Sequence, residues 1–292
     1  NDTGSYIIKF KASPDESVNK ESQATYQYQI LADVTDINGE THSTSSYVTV
    51  GYQSLQLNIS NQAIIDQKAI KPINIITTNL NGVAEAAKGN FTVYKLKQPD
   101  RAFRARLWTR PDRHALSKEE YYKTFPNDLY ADELNKFKWE KDKQFEKTFD
   151  TGSKTEYDLS AELKNLKPGV YMIEANCKDK FGESIKAFQY FTLYDNGSTT
   201  MPEVLPAWFY MPKLNAEPGE KVNFVLASAY DKVNYIYEVE RQGKLALTQF
   251  QSASLGAVTI DVQEEDRGNI SFHTSFIKYN RFYNFSNVVT VP

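Results

Sequence analysis

The 292-residue sequence contains a single cysteine, Cys177, and this scarcity limits what the chain can do. One thiol excludes an internal disulfide and any zinc or iron–sulfur site built from several thiolates. It does not identify the compartment, because oxidising compartments permit disulfides without requiring them. Cys177 lies on the inward side of a predicted strand, so we expect it to behave as a small, buried and unreactive hydrophobe.

Long apolar runs and recognised catalytic motifs are also missing. No run of about 18 apolar residues occurs, so the sequence predicts no membrane-spanning helix and no direct membrane insertion. The G-x-S-x-G, H-E-x-x-H and phosphate-loop patterns are absent, and His42, His114 and His273 lack a metal-binding spacing. We therefore expect no catalytic residue, no metal site, no cofactor and no enzymatic activity. A glycosidase stays open as an alternative, because paired carboxylates leave no trace in sequence.

The charge balance excludes another class of partner. With 34 basic and 37 acidic side chains the net charge is -3, so no global field attracts nucleic acid.

The first residue is Asn1, and no charged-then-apolar leader segment follows it. We expect the chain to be an internal piece of a longer protein.

An internal repeat organises what is present. With an offset of 143 residues, the stretch from 28 to 50 aligns with the stretch from 171 to 193 without a gap. Tyr28, Ile30, Ala32 and Val34 alternate with mostly polar residues, which is typical of a strand with one buried face. A cluster of Asp and Gly and a second extended run follow each copy, so both copies predict a β-hairpin.

A weaker third copy closes the chain and divides it into modules. In "ISFHTSFIKYNRFYNFSNVVTVP", Ile270, Phe272, Thr274 and Phe276 share one face, and the turn aligns as one residue shorter. We predict an all-β protein of tandem immunoglobulin-like sandwiches, with modules at 1–51, 52–196 and 203–292. The first module is too short to be whole, so its leading strands are expected outside this chain. A linker at 195–206 separates the last two.

The opening turn, "VTDINGET", has two interpretations. Calcium needs about six to eight oxygen ligands, and Asp36, Asn38 and Glu40 supply only a few. In the second copy Phe181 replaces Asn38 and offers no side-chain oxygen, while the glycine persists. We therefore interpret both turns as metal-free hairpin turns in which glycine adopts a positive φ.

An insertion at about 97–148 interrupts the second module. Ser117 and Glu120 form a capping-box pattern, and Pro126 ends the helix that this pattern starts. Before it, "RAFRARLWTRPDR" holds five of the eight arginines in the chain. The candidate contact residues are Arg104, Arg106, Trp108 and Arg110. They either pair with acidic residues of the insertion and dock it, or form an exposed protein-binding surface; a nucleic-acid patch fits the acidic total poorly.

Three segments together resemble a known family. "LKNLKPGVYMIEANCKDKFGES", "PGEKVNFVLAS" and "FIKYNRFYNFSNVVTVP", in consecutive modules, resemble macroglobulin domains of bacterial alpha-2-macroglobulin proteins, and "RLWTRPD" with its insertion resembles long Bacteroidetes forms. The resemblance implies a frame segment of a protease-trapping inhibitor, exported to the periplasm or cell envelope and anchored through the parent chain. Its implied partners are target proteases and neighbouring modules.

The chain departs from the family at the reactive centre. The family's thioester needs a Cys-Gly-Glu-Gln run, and Cys177 is followed by Lys178 and Asp179, so no reactive residue is carried over. The rival hypothesis is a cell-surface adhesion or carbohydrate-binding protein built from similar sandwiches. It predicts exposed Trp and Tyr rings at a loop end, with Trp108, Trp139 and Trp208 as the residues to inspect.

Overall fold

The computed structural model describes residue 7, residues 9–195, residue 198 and residues 201–292. Strand makes up about 51% and helix about 7%, in several separate sheets, which confirms the predicted all-β class of tandem sandwich modules. The strands are β1 Thr25–Thr35, β2 Thr41–Gly51, β3 Leu55–Ser60, β4 Ile64–Asp66, β5 Ile73–Asn79, β6 Lys88–Leu96, β7 Lys141–Asp150, β8 Glu156–Tyr157, β9 Gly169–Lys178, β10 Ser184–Tyr194, β11 Trp208–Tyr210, β12 Lys221–Ala227, β13 Val233–Arg241, β14 Lys244–Ala253, β15 Leu255–Asp261, β16 Gly268–Lys278 and β17 Arg281–Val291. The α-helices are α1 Lys118–Thr124 and α2 Ser160–Leu163, and short 3₁₀ turns cover Lys20–Ser22, Lys136–Lys138 and Glu264–Asp266.

The strands β1 and β2 form an antiparallel ribbon that ends at Gly51, where the first predicted module ends. Tyr28, Ile30 and Ala32 are only half-buried, and Val34 is 54% exposed. The sequence predicted a buried face here. In the described part of the chain this ribbon is a sheet of its own, so no second sheet completes the burial.

The second module is a sandwich of two sheets. One has the strand order β4-β10-β9-β6-β7 and the other β3-β5-β8, with an apolar core between them. At the centre, the inward residues Tyr171, Ile173 and Ala175 are fully buried and Cys177 is 6% exposed, which confirms the inward face predicted for β9. Burial raises the pKa of the Cys177 thiol to about 11, and the nearby Asp179 charge adds to the shift.

The insertion of the second module is shorter than predicted. Residues 141–148 belong to β7, which pairs antiparallel with β6, so the part outside the sheets runs from 97 to 140. Its helix α1 begins at the predicted capping box, where the Ser117 hydroxyl accepts from the Glu120 N–H at 3.3 Å and the Glu120 carboxylate accepts from the Ser117 N–H at 3.0 Å. The helix ends before Pro126, as predicted.

The third module contains seven strands in two sheets, β11-β12-β15 and β14-β13-β16-β17. Ile270, Phe272, Thr274 and Phe276 are at most 4% exposed, which confirms their predicted common face. The turn prediction was wrong. The loop between β16 and β17 has two residues, Tyr279 and Asn280, both with positive φ, whereas the β1–β2 and β9–β10 hairpins have five-residue loops.

The repeated turns have the same hydrogen bonds in both copies. Asp36 Oδ1 accepts from the N–H groups of Asn38 at 2.8 Å and Glu40 at 2.9 Å. Asp179 Oδ1 accepts from Phe181 and Glu183, both at 2.9 Å. Each glycine has a positive φ, 83° in Gly39 and 89° in Gly182. The predicted hairpin turns are confirmed, because one carboxylate oxygen binds backbone N–H groups in each loop.

Membrane-spanning helices and candidate metal sites are both absent from the described residues. Among residues 7, 9–195, 198 and 201–292, no helix combines the length and apolar character needed to cross a membrane. Over the same residues, no group of three or more His, Cys, Asp or Glu side chains is placed to hold a metal ion. Of the predicted linker at 195–206, residues 196, 197, 199 and 200 lie outside the described residues.

Candidate functional site at the joint between the second and third modules

The arginine segment, residues 101–113, follows β6 and forms the first part of the insertion, where it contacts residues 127–129. The Arg104 backbone N–H donates to the Asn127 carbonyl at 2.6 Å, and the backbones of Arg104 and Asp128 form an isolated parallel β-bridge. Its guanidinium makes a bidentate pair with the Asp128 carboxylate, with Nε–Oδ1 and Nη2–Oδ2 distances of 2.7 Å. The two side chains are 17% and 9% exposed. The hydrogen bonds that Arg104 donates to Asp128 raise the pKa of Arg104, although burial acts against them.

The other three predicted contact residues have different environments. Arg106 donates from Nη2 to the Leu129 carbonyl at 2.6 Å, without a carboxylate in that contact. Arg110 pairs with Asp132 at 2.9 Å, and both side chains are well exposed to solvent. Trp108 is 55% exposed. The structure therefore places three arginines against the later part of the insertion, at residues 128–132, and leaves the tryptophan ring at the surface.

Aromatic side chains hold the insertion on the second module. Trp139 packs on the outer face of the large sheet, against Leu96, Val170 and Met172, and its Nε1–H donates to the Glu133 carbonyl at 2.7 Å. The two copies of the repeat differ on this face, which is apolar in the copy that carries the insertion. With the offset of 143, Val170 and Met172 stand where the ribbon has glutamines, and the ribbon carries no insertion. Sequence comparison of the two copies could have found this docking surface.

One acidic residue organises the interior of the insertion. The Tyr122 hydroxyl donates to Glu133 Oε1 at 2.7 Å, and the Ala131 N–H donates to Oε2 at 2.8 Å. Burial alone would raise the pKa of Glu133, but these hydrogen bonds outweigh it and the pKa is lowered. A general acid needs the opposite shift. Burial, together with the hydrogen bond to Glu133, raises the pKa of Tyr122 to about 12.

The arginine segment also contacts the third module. Arg104 Nη1 donates to the carbonyl of Tyr279, which lies in the two-residue turn between β16 and β17. The Tyr279 ring meets Tyr230 edge to face, with centroids 5.0 Å apart. Arg104 is therefore shared, because one guanidinium holds the insertion through Asp128 and the third module through Tyr279.

The chain between the two modules is anchored as well. Gln98 Nε2 donates to the Pro202 carbonyl at 2.9 Å, and Gln98 Oε1 accepts from the Val204 N–H at 2.7 Å. Glu203 is 7% exposed; it pairs with Lys136 at 2.6 Å and accepts from the Thr192 hydroxyl at 3.0 Å. Residues 202–204 are thus held on both sides by second-module side chains.

A small apolar core closes the joint. Tyr194 at the end of β10 packs with Trp208 of β11 and with Val225 and Ala227 of β12, and all four are buried. The centroids of the Tyr194 and Trp208 rings lie 5.2 Å apart. Of the tryptophans named by the rival hypothesis, Trp208 lies in this joint core and Trp139 packs from the insertion onto the large sheet. Only Trp108 of the three is exposed.

A second joint connects the ribbon to the second module. Asp179 Oδ2 accepts from both the N–H and the hydroxyl of Ser54, at 2.9 and 3.0 Å. Asn81 Oδ1 accepts a hydrogen bond from the Thr49 N–H at 2.8 Å, and Asn81 Nδ2 donates to the Thr49 carbonyl at 3.2 Å. Burial acts to raise the pKa of Asp179, but the donated hydrogen bonds, led by that of the Ser54 N–H, lower it.

Sequence reasoning missed most residues of these joints. Gln98, Lys136, Glu203 and Tyr279 gave no signal, because single polar residues in loops look alike whether or not they meet a partner. The charged and polar side chains of these joints are used to fix loops and neighbouring modules to one another.

Comparison with known proteins gives a limited result. The sequence matches no family model and no curated protein. Solved structures that resemble it include native Escherichia coli alpha-2-macroglobulin, at TM-score 0.29 and 12% identity, covering 92% of this chain and 17% of that one. They also include a tetra-tandem repeat from the extending region of a large adhesion protein, at TM-score 0.23 and 11% identity, covering 92% of this chain and 57% of that one. A Ca²⁺-stabilised ice-binding adhesin of an Antarctic bacterium has TM-score 0.21 and 11% identity, covering 91% of this chain and 57% of that one. The chain spans less than two thirds of each, and these likenesses favour neither the trap nor the adhesin.

Proposed function

We propose that this chain is a non-catalytic frame segment of an exported, Bacteroidetes-type alpha-2-macroglobulin-like protein that traps proteases. The observation that supports it is the joint between the second and third modules. A bidentate ion pair, an anchored linker and a buried apolar core lie at that joint. The default expectation for linked domains is relative motion, so such a joint favours a part whose role is to hold a fixed shape.

In this proposal the chain has no catalytic residue, cofactor or metal of its own. Its immediate partners are the neighbouring modules, and the proteases are partners of the parent protein. The parent is exported to the periplasm or cell envelope and held there by an anchor elsewhere in its chain. Reading the parent gene for a lipoprotein signal upstream and a Cys-Gly-Glu-Gln run downstream tests both the location and the presence of a thioester.

The function itself is tested on the parent protein. A trap that encloses a protease leaves the active site intact but shields it from large substrates. Elastase or trypsin incubated with the parent should lose activity on casein and keep most of its activity on a small chromogenic peptide. Equal activity on casein with and without the parent, after the parent has been cleaved, would refute the proposal.

The adhesin alternative rests on one observation. Trp108 and Leu107, at the tip of the arginine segment, are 55% and 76% exposed, and exposed rings on a loop are a common means of binding sugars or proteins. A glycan array probed with the chain and with Trp108→Ala examines it directly. Binding that Trp108→Ala removes, together with no casein protection by the parent, would favour adhesion over the trap.

A further inference from the structure

Arg101, the first residue of the arginine segment, is not used like the arginines that follow it. Arg104 and Arg110 pair with carboxylates, and Arg106 donates to a backbone carbonyl. Arg101 is half-buried, yet no carboxylate among the described residues forms an ion pair with it, and its buried Nε atom has no hydrogen-bond acceptor there. Because buried donors are nearly always paired, this guanidinium is suited to an acceptor from outside the chain.

Two aromatic rings fix the position of Arg101. Its guanidinium carbon lies 4.1 Å from the centroid of the Tyr122 ring and 5.1 Å from that of the Phe103 ring. The Phe103 ring is buried, and the hydroxyl of Tyr122 is held by Glu133. Stacking occupies the faces of a guanidinium and leaves the N–H groups in its plane to donate. The Tyr122 hydroxyl lies close enough to interact with Arg101, but a neutral phenol does not balance its charge.

Arg101 lies in the wall of a cavity of about 470 Å³ within the insertion. Lys118 and Tyr122, both on α1, form a second wall, and Trp139 forms the side that rests on the large sheet. Cavities of a few hundred cubic ångströms with a small number of polar groups are typical binding sites for small organic molecules. The size of this cavity therefore fits a ligand of one ring.

The charges around the cavity leave a single positive excess. Four basic and three acidic residues line it: Lys97, Arg101, Lys118 and Lys138 against Asp100, Glu133 and Glu140. One negative charge on a ligand would balance this excess. A second negative charge would be repelled by the three carboxylates at short range.

Most of these charges are already engaged with one another. Lys97 pairs with Glu140 at 2.9 Å. Both oxygens of Glu133 accept hydrogen bonds within the insertion, and Lys118 Nζ lies 3.7 Å from this carboxylate, beyond hydrogen-bond distance. Arg101 is thus the cation of the cavity with the least compensation, and Lys118 adds a second, weakly paired positive charge.

We propose that this cavity binds a small molecule that carries one carboxylate group, and that the carboxylate accepts hydrogen bonds from Arg101. The two oxygens of a carboxylate match the fork of guanidinium donors, and the stacked rings hold that fork in place before the ligand arrives. The ring of the ligand lies toward Trp139. That ring can be a hydroxylated sugar ring or an apolar ring, and the experiment separates the two.

The experiment titrates glucuronate and cyclohexanecarboxylate into the 292-residue chain and follows the NMR signals of the indole N–H groups. Each ligand places one carboxylate on a six-membered ring, which is hydroxylated in the first and apolar in the second. The Trp139 signal should shift and saturate, whereas the signals of Trp108 and Trp208 should stay unchanged because those rings lie outside the cavity. The neutral counterparts, glucose and cyclohexanecarboxamide, should bind at least about 10-fold more weakly.

Three variants locate the carboxylate. Arg101→Gln should weaken its binding by about 10- to 100-fold, which is the range expected when charge-assisted hydrogen bonds are lost. Lys118→Gln should weaken it by only a few-fold, since its ammonium acts at longer range. Arg113→Gln is the matched control, because this arginine of the same segment is exposed and does not line the cavity. Thermolysin cleavage without ligand shows whether each variant keeps the insertion folded.

Several results would overturn the proposal. They are equal binding of the charged and neutral ligands, unchanged affinity in a folded Arg101→Gln variant, and no Trp139 shift with either carboxylate at about 10 mM, where even millimolar affinity is visible. The comparison of charged with neutral ligands needs no substitution, so it decides the question even if Arg101→Gln loosens the insertion. Tighter binding of glucuronate would assign a sugar acid, and tighter binding of cyclohexanecarboxylate an apolar acid. None of these results bears on casein protection, so the two proposals fail separately.

Discussion

Arg104→Ala is the most informative perturbation of the joint, because one side chain serves two modules. Its removal leaves the Asp128 carboxylate, in a residue 6% exposed, without its bidentate partner, and it also removes the bond to Tyr279. Breaking a buried ion pair costs about 3–5 kcal/mol. Arg104 keeps 17% exposure, so water can reach the pair, and we expect the lower end, roughly 3 kcal/mol, in the free energy of local opening.

The assay is limited proteolysis with mass spectrometry, using thermolysin because Arg104→Ala itself removes a trypsin site. If cleavage follows the population of the open state, roughly 3 kcal/mol corresponds to a rise of about 100-fold in cleavage within residues 115–145. The remainder of the second module should stay folded. Arg106→Ala should give a smaller rise, since its guanidinium bonds to the Leu129 carbonyl without a carboxylate in that contact.

Two controls separate the ion pair from general loosening. Arg110→Ala removes a solvent-exposed pair with Asp132 and should change cleavage little. The double variant Arg104→Met with Asp128→Leu replaces both charges by apolar groups, and it should recover much of the lost protection because no unpaired buried charge remains. Unchanged protection in both Arg104→Ala and Arg106→Ala would refute the reasoning, and the aromatic contacts alone would then hold the insertion.

Three further predictions address other parts of the chain. Cys177 should react slowly with Ellman's reagent in the native protein and fast in denaturant, because burial raises its pKa to about 11; rapid native labelling would contradict the strand register. Calcium should not shift thermal unfolding, and micromolar binding that disappears in Asp36→Ala would overturn the hairpin-turn interpretation. The pKa of Asp179 is lowered, so its stabilisation is present above the unfolded carboxyl pKa and lost as pH falls through the folded value. The Ser54 amide should therefore exchange faster in acid, in excess of the intrinsic pH effect, and Asp179→Ala should remove that excess.

The sequence predicted those features that depend on local periodicity. The alternation in β9 and β16 identified their inward faces, and the capping box at Ser117 located α1, because both signals arise from neighbours along the chain. The end of the insertion was missed. Residues 141–148 are charged and polar apart from Phe145, and an edge strand of this kind lacks the apolar alternation on which the prediction relied.

The joint was predicted only in part for a related reason. Five clustered arginines near a run of acidic residues indicated pairing, and Arg104 and Asp128 do lie together. The contact of Arg104 with Tyr279 spans 175 residues, and a backbone carbonyl carries no sequence signal. The same holds for the two-residue turn at Tyr279. Its positive φ angles occur in a Tyr-Asn pair, whereas the recognisable turns of this type contain glycine.

The two copies of the repeated turn show how a hairpin becomes part of a joint. In both, one oxygen of the aspartate holds the turn, so that function uses only half of the carboxylate. In Asp36 the other oxygen accepts from the Asn38 side-chain amide at 3.4 Å, a contact within the turn itself. In Asp179 it accepts two bonds from Ser54, just after the ribbon ends. Since the turn already fixes that carboxylate, accepting Ser54 orders few additional groups, and the entropy lost at the joint is small. A rigid connection between modules therefore needs little more than a suitable residue at position 54.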